Sequence, residues 1–168
     1  MDFPSLLKSL HELEFDNSDG DGIEFEPYPR FMAPDETTEW LRAWTGNQQL
    51  TATDYLVFGQ DGSGGYAAFW LAKDGESLLQ QPIVFFGSEG EAGVVAADFD
   101  DYLWLLAQGI GPMEAVEYGA DHESPANRSL QEFAQKHTTS SKKAPDVILS
   151  RAKDAFPDFE SMINSLCK

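Results

Sequence analysis

Four short apolar runs, separated by breaks rich in glycine, aspartate and proline, fill residues 55–97 of this chain. They read Tyr55-Leu56-Val57-Phe58, Tyr66-Ala67-Ala68-Phe69-Trp70-Leu71, Pro82-Ile83-Val84-Phe85-Phe86 and Val94-Val95-Ala96. Each is too short for a helix and is dominated by aromatic and β-branched side chains, which predicts strands. In the second run both alternating sets are apolar, Ala67, Phe69 and Leu71 against Tyr66, Ala68 and Trp70. The third run behaves the same way. Strands of this kind are covered on both faces, so they belong in the middle of a sheet.

A helix closes the block. Phe99, Tyr102, Leu103 and Leu106 recur at helical spacing and form one apolar stripe. Asp98 is a suitable N-cap, Asp100 and Asp101 stand where the helix dipole favours negative charge, and Gly109 is placed to end the helix.

The succession of strand, Gly/Asp turn, aromatic strand (Gly64-Gly65-Tyr66-Ala67-Ala68-Phe69-Trp70), Pro82-Ile83-Val84-Phe85-Phe86-Gly87 strand and Ala97-Asp98-Phe99-Asp100-Asp101-Tyr102-Leu103 helix start resembles the SUKH superfamily. These are Smi/Knr-type proteins, among them many bacterial toxin-immunity proteins. Where the family commonly carries a Leu-Pro-x-Asp/Glu-Tyr turn, this chain has Leu50-Thr51-Ala52-Thr53-Asp54-Tyr55. The resemblance covers roughly a third of the chain and implies an α+β fold and a protein-binding function. It implies no catalytic residue.

Charge narrows the classes of partner. The formal net charge is −18, with 24 acidic and 4 basic side chains in residues 1–123, and 5 and 7 beyond. Such a body repels nucleic acid and anionic membrane and attracts basic proteins; the plain alternative is solubility. At 168 residues the chain is most simply one domain, able to bury about 70 % of its unfolded surface. No apolar run is long enough for a membrane span, and the first residues lack a signal-peptide pattern. The one cysteine, Cys167, has no internal partner. Together these place the expected location in a reducing cytoplasm.

Elsewhere the chain is read locally. Phe3, Leu6, Leu7, Leu10 and Leu13 predict a helix, with Asp2 as cap and Pro4 in the first turn. Asp16-Asn17-Ser18-Asp19-Gly20-Asp21-Gly22 invites comparison with a calcium loop, but Tyr28 stands where the closing bidentate Glu belongs. A solvated turn into an alternating strand, Ile23 to Pro27, is the better reading. Residues 35–44 predict a helix ended by Gly46, with Trp40 and Trp44 on one face, as core aromatics or as an exposed binding platform. Gly62-Ser63-Gly64-Gly65-Tyr66-Ala67 satisfies G-x-G-x-x-A, and Glu89 lies at a dinucleotide-site distance. That fingerprint needs a helix after the glycines, and Tyr-Ala-Ala-Phe-Trp-Leu predicts a hairpin strand instead. Past Pro112, Ser124-Pro125 predicts a helix start with Leu130, Phe133, Ala134 and His137 on one face. Residues 138–143 read as a hinge. Helices around Ile148 and Ile163 follow.

Metalloprotease, redox, serine-hydrolase and Walker motifs are all absent, and His11, His122 and His137 have no ligand spacing. The sequence therefore predicts an α+β domain over residues 1–168, with a mostly antiparallel sheet and helices packed mainly on one face. Its core spans 1–112, and a helical C-terminal section, 124–168, either packs on that core or stands as an appendage. The expected function is non-enzymatic protein binding with no cofactor or metal, and the resemblance implies an immunity protein neutralising a toxin, for instance a basic nuclease. Glu89, Glu91, Asp98, Asp100 and Asp101 are the candidate partner-binding residues. A regulatory or scaffolding module of the same fold is the alternative. A small-molecule-binding or hydrolytic protein using the Gly-rich turn is the third reading.

Overall fold

The computed structural model describes residues 2–15 and 22–168. Its β-strands form one five-stranded antiparallel sheet in chain order: β1 (Glu26–Pro27), β2 (Tyr55–Gln60), β3 (Tyr66–Trp70), β4 (Ile83–Phe86) and β5 (Ala92–Ala96). Seven α-helices accompany it among the described residues: α1 (Ser5–His11), α2 (Pro34–Thr45), α3 (Phe99–Ala107), α4 (Pro112–Glu117), α5 (Arg128–His137), α6 (Pro145–Ala155) and α7 (Phe159–Leu166). The architecture is α+β, with the helical C-terminal section present. No helix among the described residues is long and apolar enough to cross a membrane.

The double apolar pattern of the strands is explained by cover on both faces. Phe58, Ala67, Phe69, Ile83, Phe85 and Val95 point to one side, where Leu7 and Leu10 of α1, most of α3, and Met113 and Ala115 of α4 meet them. Tyr55, Val57, Ala68, Val84 and Phe86 point to the other, under Leu41 of α2 and Phe159 and Ile163 of α7. Most helices thus gather on the first face. Two irregularities set the facing. The ladder from β2 to β3 shifts between Val57 and Gly59, which turns Phe58 into the first core. The ladder from β4 to β5 shifts next to Ile83 and does the same for Val95.

Helix α3 begins as its sequence dictates, with Asp98 accepting a hydrogen bond from the Asp101 backbone N–H at 2.9 Å. It ends in a Schellman turn, Ile110 N–H to Leu105 O and Gly109 N–H to Leu106 O, with Gly109 at φ +83°. Phe99, Leu103 and Leu106 are buried as the stripe requires, and so are Trp104 and Leu105, because α5 packs on the outer side of α3. Gly46 ends α2 in the left-handed conformation. At the other end of the chain, Asn47 Nδ2 donates to Leu166 O at 3.0 Å, fastening the end of α7 to that of α2.

Several boundaries differ from their local signals. The N-cap position of α1 is Pro4, with no side-chain cap, so Asp2 does not cap it. Helix α5 starts at Arg128, capped by Asn127 accepting from Leu130 N–H, while Ser124 packs instead against Gly109. In the Ile23 to Pro27 stretch only Glu26 and Pro27 pair with β2. Ile23 is drawn into the core, and the Phe25 ring lies on the bare face of Gly59. Helix α4 had no counterpart in the sequence reading. Asp16 to Asp21, the heart of the calcium comparison, lies outside the described residues.

Candidate functional site at the acidic end of the sheet

One row crosses the whole sheet at one end: Glu26, Gln60, Tyr66, Phe86 and Ala92 are successive ladder partners. The two turns beyond this row, residues 61–65 and 87–91, therefore lie side by side, and Ser88 Oγ meets Ser63 Oγ at 3.1 Å. Carboxylates collect here from three segments. Glu24, just before β1, rests its carboxylate on Gly62, and Glu91 rests its own on Gly87. Glu89 is exposed at the tip of the second turn. Glu117, at the end of α4, comes within hydrogen-bonding reach of Glu91. Its carboxyl is raised above the ordinary range by partial burial, by that hydrogen bond, and by the charges of Glu91, Asp61 and Glu24.

No described cation neutralises this cluster. The ion pairs among the described residues are Arg128 with Glu132, and Lys143 and Arg151 with Asp101, all elsewhere. Unpaired charges of one sign concentrated on one end project a field well beyond contact distance.

Asp61 has a different task. Its Oδ1 accepts from Ser63 N–H at 2.9 Å and Gly65 N–H at 2.8 Å, and Ser63 Oγ donates to it at 3.0 Å. A carboxylate thus occupies the amide nest that a phosphate would need, and a strand follows, as the hairpin reading requires. The G-x-G-x-x-A match is a hairpin turn.

Of the five candidate residues, only Glu89 and Glu91 lie at this end. Asp98, Asp100 and Asp101 follow β5 at its opposite end, roughly 16 Å away for five strand residues. Asp98 caps α3, and Asp100 Oδ2 accepts from Thr139 N–H at 3.0 Å and Thr139 Oγ1 at 2.9 Å. Asp101 is 0 % exposed, so it offers no surface to a partner. Arg151 Nη1 donates to its Oδ2 at 2.6 Å. Lys143 Nζ stands 2.9 Å from Oδ1, off the hydrogen-bonding direction, as a plain ion pair. The physical reason is the C-terminal section, whose cations fold over the start of α3. Glu24 and Glu117 were missed by local reading; the signal for Glu24 was the antiparallel order, which sets β1 beside the 61–65 turn.

Two titratable groups lie deeper. Glu114 of α4 is 1 % exposed, and its Oε1 accepts from Gly111 N–H at 3.0 Å, the returning half of a capping box. Oε2 accepts from Glu24 N–H at 3.4 Å. Burial pushes this carboxyl up to about 7, against the pull of the backbone N–H groups. The His11 Nδ1–H donates to Tyr28 O at 2.6 Å, and burial lowers its pKa. Both serve the backbone around them. Among the described residues no group of three or more His, Cys, Asp or Glu side chains is arranged to hold a metal ion.

No family model, no curated protein and no solved structure matches this chain.

Proposed function

We propose that this chain is a non-catalytic protein-binding module that captures a basic protein at the acidic end of its sheet. In its specific form the reading is a cytoplasmic immunity protein that neutralises a toxin. The observation that carries it is the convergence of Glu24, Glu89, Glu91 and Glu117 at one end with no described cation paired to them. The resemblance of residues 55–106 to the SUKH superfamily supplies the immunity form.

Charge acts first on the encounter. A basic surface is steered toward this end, so association depends steeply on salt, while dissociation depends on the apolar contacts made afterwards. A toxin that acts on nucleic acid carries a basic surface for its own substrate. An acidic inhibitor seated there excludes that substrate directly.

The test is co-expression with a toxin encoded beside this protein, in a sensitive host. The intact chain should protect, and Glu89→Lys with Glu91→Lys should slow association by about tenfold or more at low salt. Glu89 is exposed and the half-buried Glu91 faces another carboxylate, so the fold survives both reversals. No protection and no complex would end the immunity reading. Protection that ignores both reversals would move the interface away from this end.

A further inference from the structure

On the second face of the same end, a groove of about 890 Å³ opens between residues 28–33, which follow β1, the first residue of β3, and α2. That volume is in the range of a site able to enclose a side chain or small ligand. Tyr28, Phe31, Trp40 and Tyr66 line it, with Glu36 and Glu39 on its rim. The Trp40 ring stands 5.0 Å from that of Tyr66 at 77° and 5.1 Å from that of Phe86 at 80°. Rings set at right angles leave an aromatic notch. Its walls are rigid: Tyr28 N–H and Met32 N–H donate to Phe58 O and Val57 O, each at 2.9 Å. The Tyr28 hydroxyl donates to Gln60 Oε1 at 2.5 Å, and Gln60 Nε2 donates to Glu26 at 3.0 Å.

Resting on the reading of a basic partner, we propose that this notch receives an arginine side chain of that partner, its guanidinium stacked on one of the Trp40 and Tyr66 rings, set against the other, and paired with Glu36 or Glu39. Charge complementarity selects the occupant. Glu36, Glu39 and the Gln60-held Glu26 repel anions, and a purely apolar group leaves unused Glu39 and the second oxygen of Glu36, whose Oε2 accepts from Ala33 N–H at 3.3 Å. A guanidinium suits both parts, since its plane stacks on aromatic faces and its edge pairs with carboxylate. The Tyr28 phenol is pushed up to about 12, first by burial and then by Tyr66, Glu26 and Glu36. The indole N–H groups of Trp44 and Trp104 are taken by Gly87 O and Ser140 O, whereas those of Trp40 and Trp70 have no partner among the described residues. Arg30 is the one cation lining the groove, exposed and outside every described ion pair.

The experiment titrates the ¹⁵N-labelled full chain with N-acetyl-arginine methylamide and, separately, with its uncharged citrulline counterpart. The probe is the Trp40 indole resonance, identified by its loss in Trp40→Phe. The arginine compound should give a saturable shift there and leave the Trp44, Trp70 and Trp104 indoles in place. Citrulline should bind about tenfold more weakly, and Glu36→Gln with Glu39→Gln should weaken arginine binding about fivefold. Both glutamates are exposed, so the double variant keeps its fold. No saturable shift, or an equal response to citrulline, overturns the proposal. Capture of a basic protein that survives Glu36→Gln with Glu39→Gln but fails with Glu89→Lys and Glu91→Lys removes the notch and leaves the acidic-end reading standing.

Discussion

Glu114→Gln should remove a pH dependence from the stability of this protein. The Glu114 carboxyl releases its proton near 4.5 in the unfolded chain and at about 7 in the fold, where burial is the largest cause. Between those values the folded state holds the extra proton, so acid favours folding through this group. Its contribution is full below about pH 4.5, declines as pH rises, and is gone above about pH 7. An upward shift of this size corresponds to about 3 kcal/mol. His11 works in the opposite sense. Its lowered pKa gives a contribution present above about pH 6.5 and lost on acidification, so the two partly cancel in the native protein. The difference between native and variant isolates Glu114. Glutamine retains an acceptor for Gly111 N–H but presents an amide to Glu24 N–H, a roughly constant cost of about 1 kcal/mol. Urea unfolding followed by tryptophan fluorescence, at intervals across the range from below 4.5 to above 7, gives both curves. The native advantage over the variant should shrink by about 3 kcal/mol across that range and reverse at its upper end. A difference that stays constant within about 0.5 kcal/mol would refute the argument, since Glu114 would then titrate alike in both states.

Leu103, 1 % exposed beneath the sheet, should cost about 2–5 kcal/mol on replacement by Ala, read in the same unfolding assay. Asp101→Asn should cost about 2 kcal/mol, less than a fully buried pair because Arg151 and Lys143 reach water, while Glu132→Gln at the exposed Arg128 pair should change stability by less than about 0.5 kcal/mol. Gly109→Ala should cost at least about 2 kcal/mol in thermal or urea unfolding. It combines a left-handed backbone with a Cβ that would stand 2.7 Å from Pro125 O and 2.5 Å from Ser124 Oγ.

What could be read from residues alone was whatever depends on near neighbours. Alternation, glycine breaks and the doubly apolar runs located β2 to β5, and a cap with a glycine stop located α3, because those forces act within a few residues. Helix α4 escaped, since six residues after a Gly-Pro break show no period and its Glu114 is held by Gly111 and Glu24. The start of α5 was misplaced because Ser124, a good cap by type, is held instead against Gly109. For the site, composition foresaw an acidic body but not where its charge remains unpaired. Asp101 and Glu91 are equally acidic in sequence. One is buried under Arg151 and Lys143, which arrive from more than forty residues away, and the other meets Glu117 where no described cation follows. Side-chain charge is a property of the residue, but its neutralisation depends on which distant segments the packing of the sheet brings beside it.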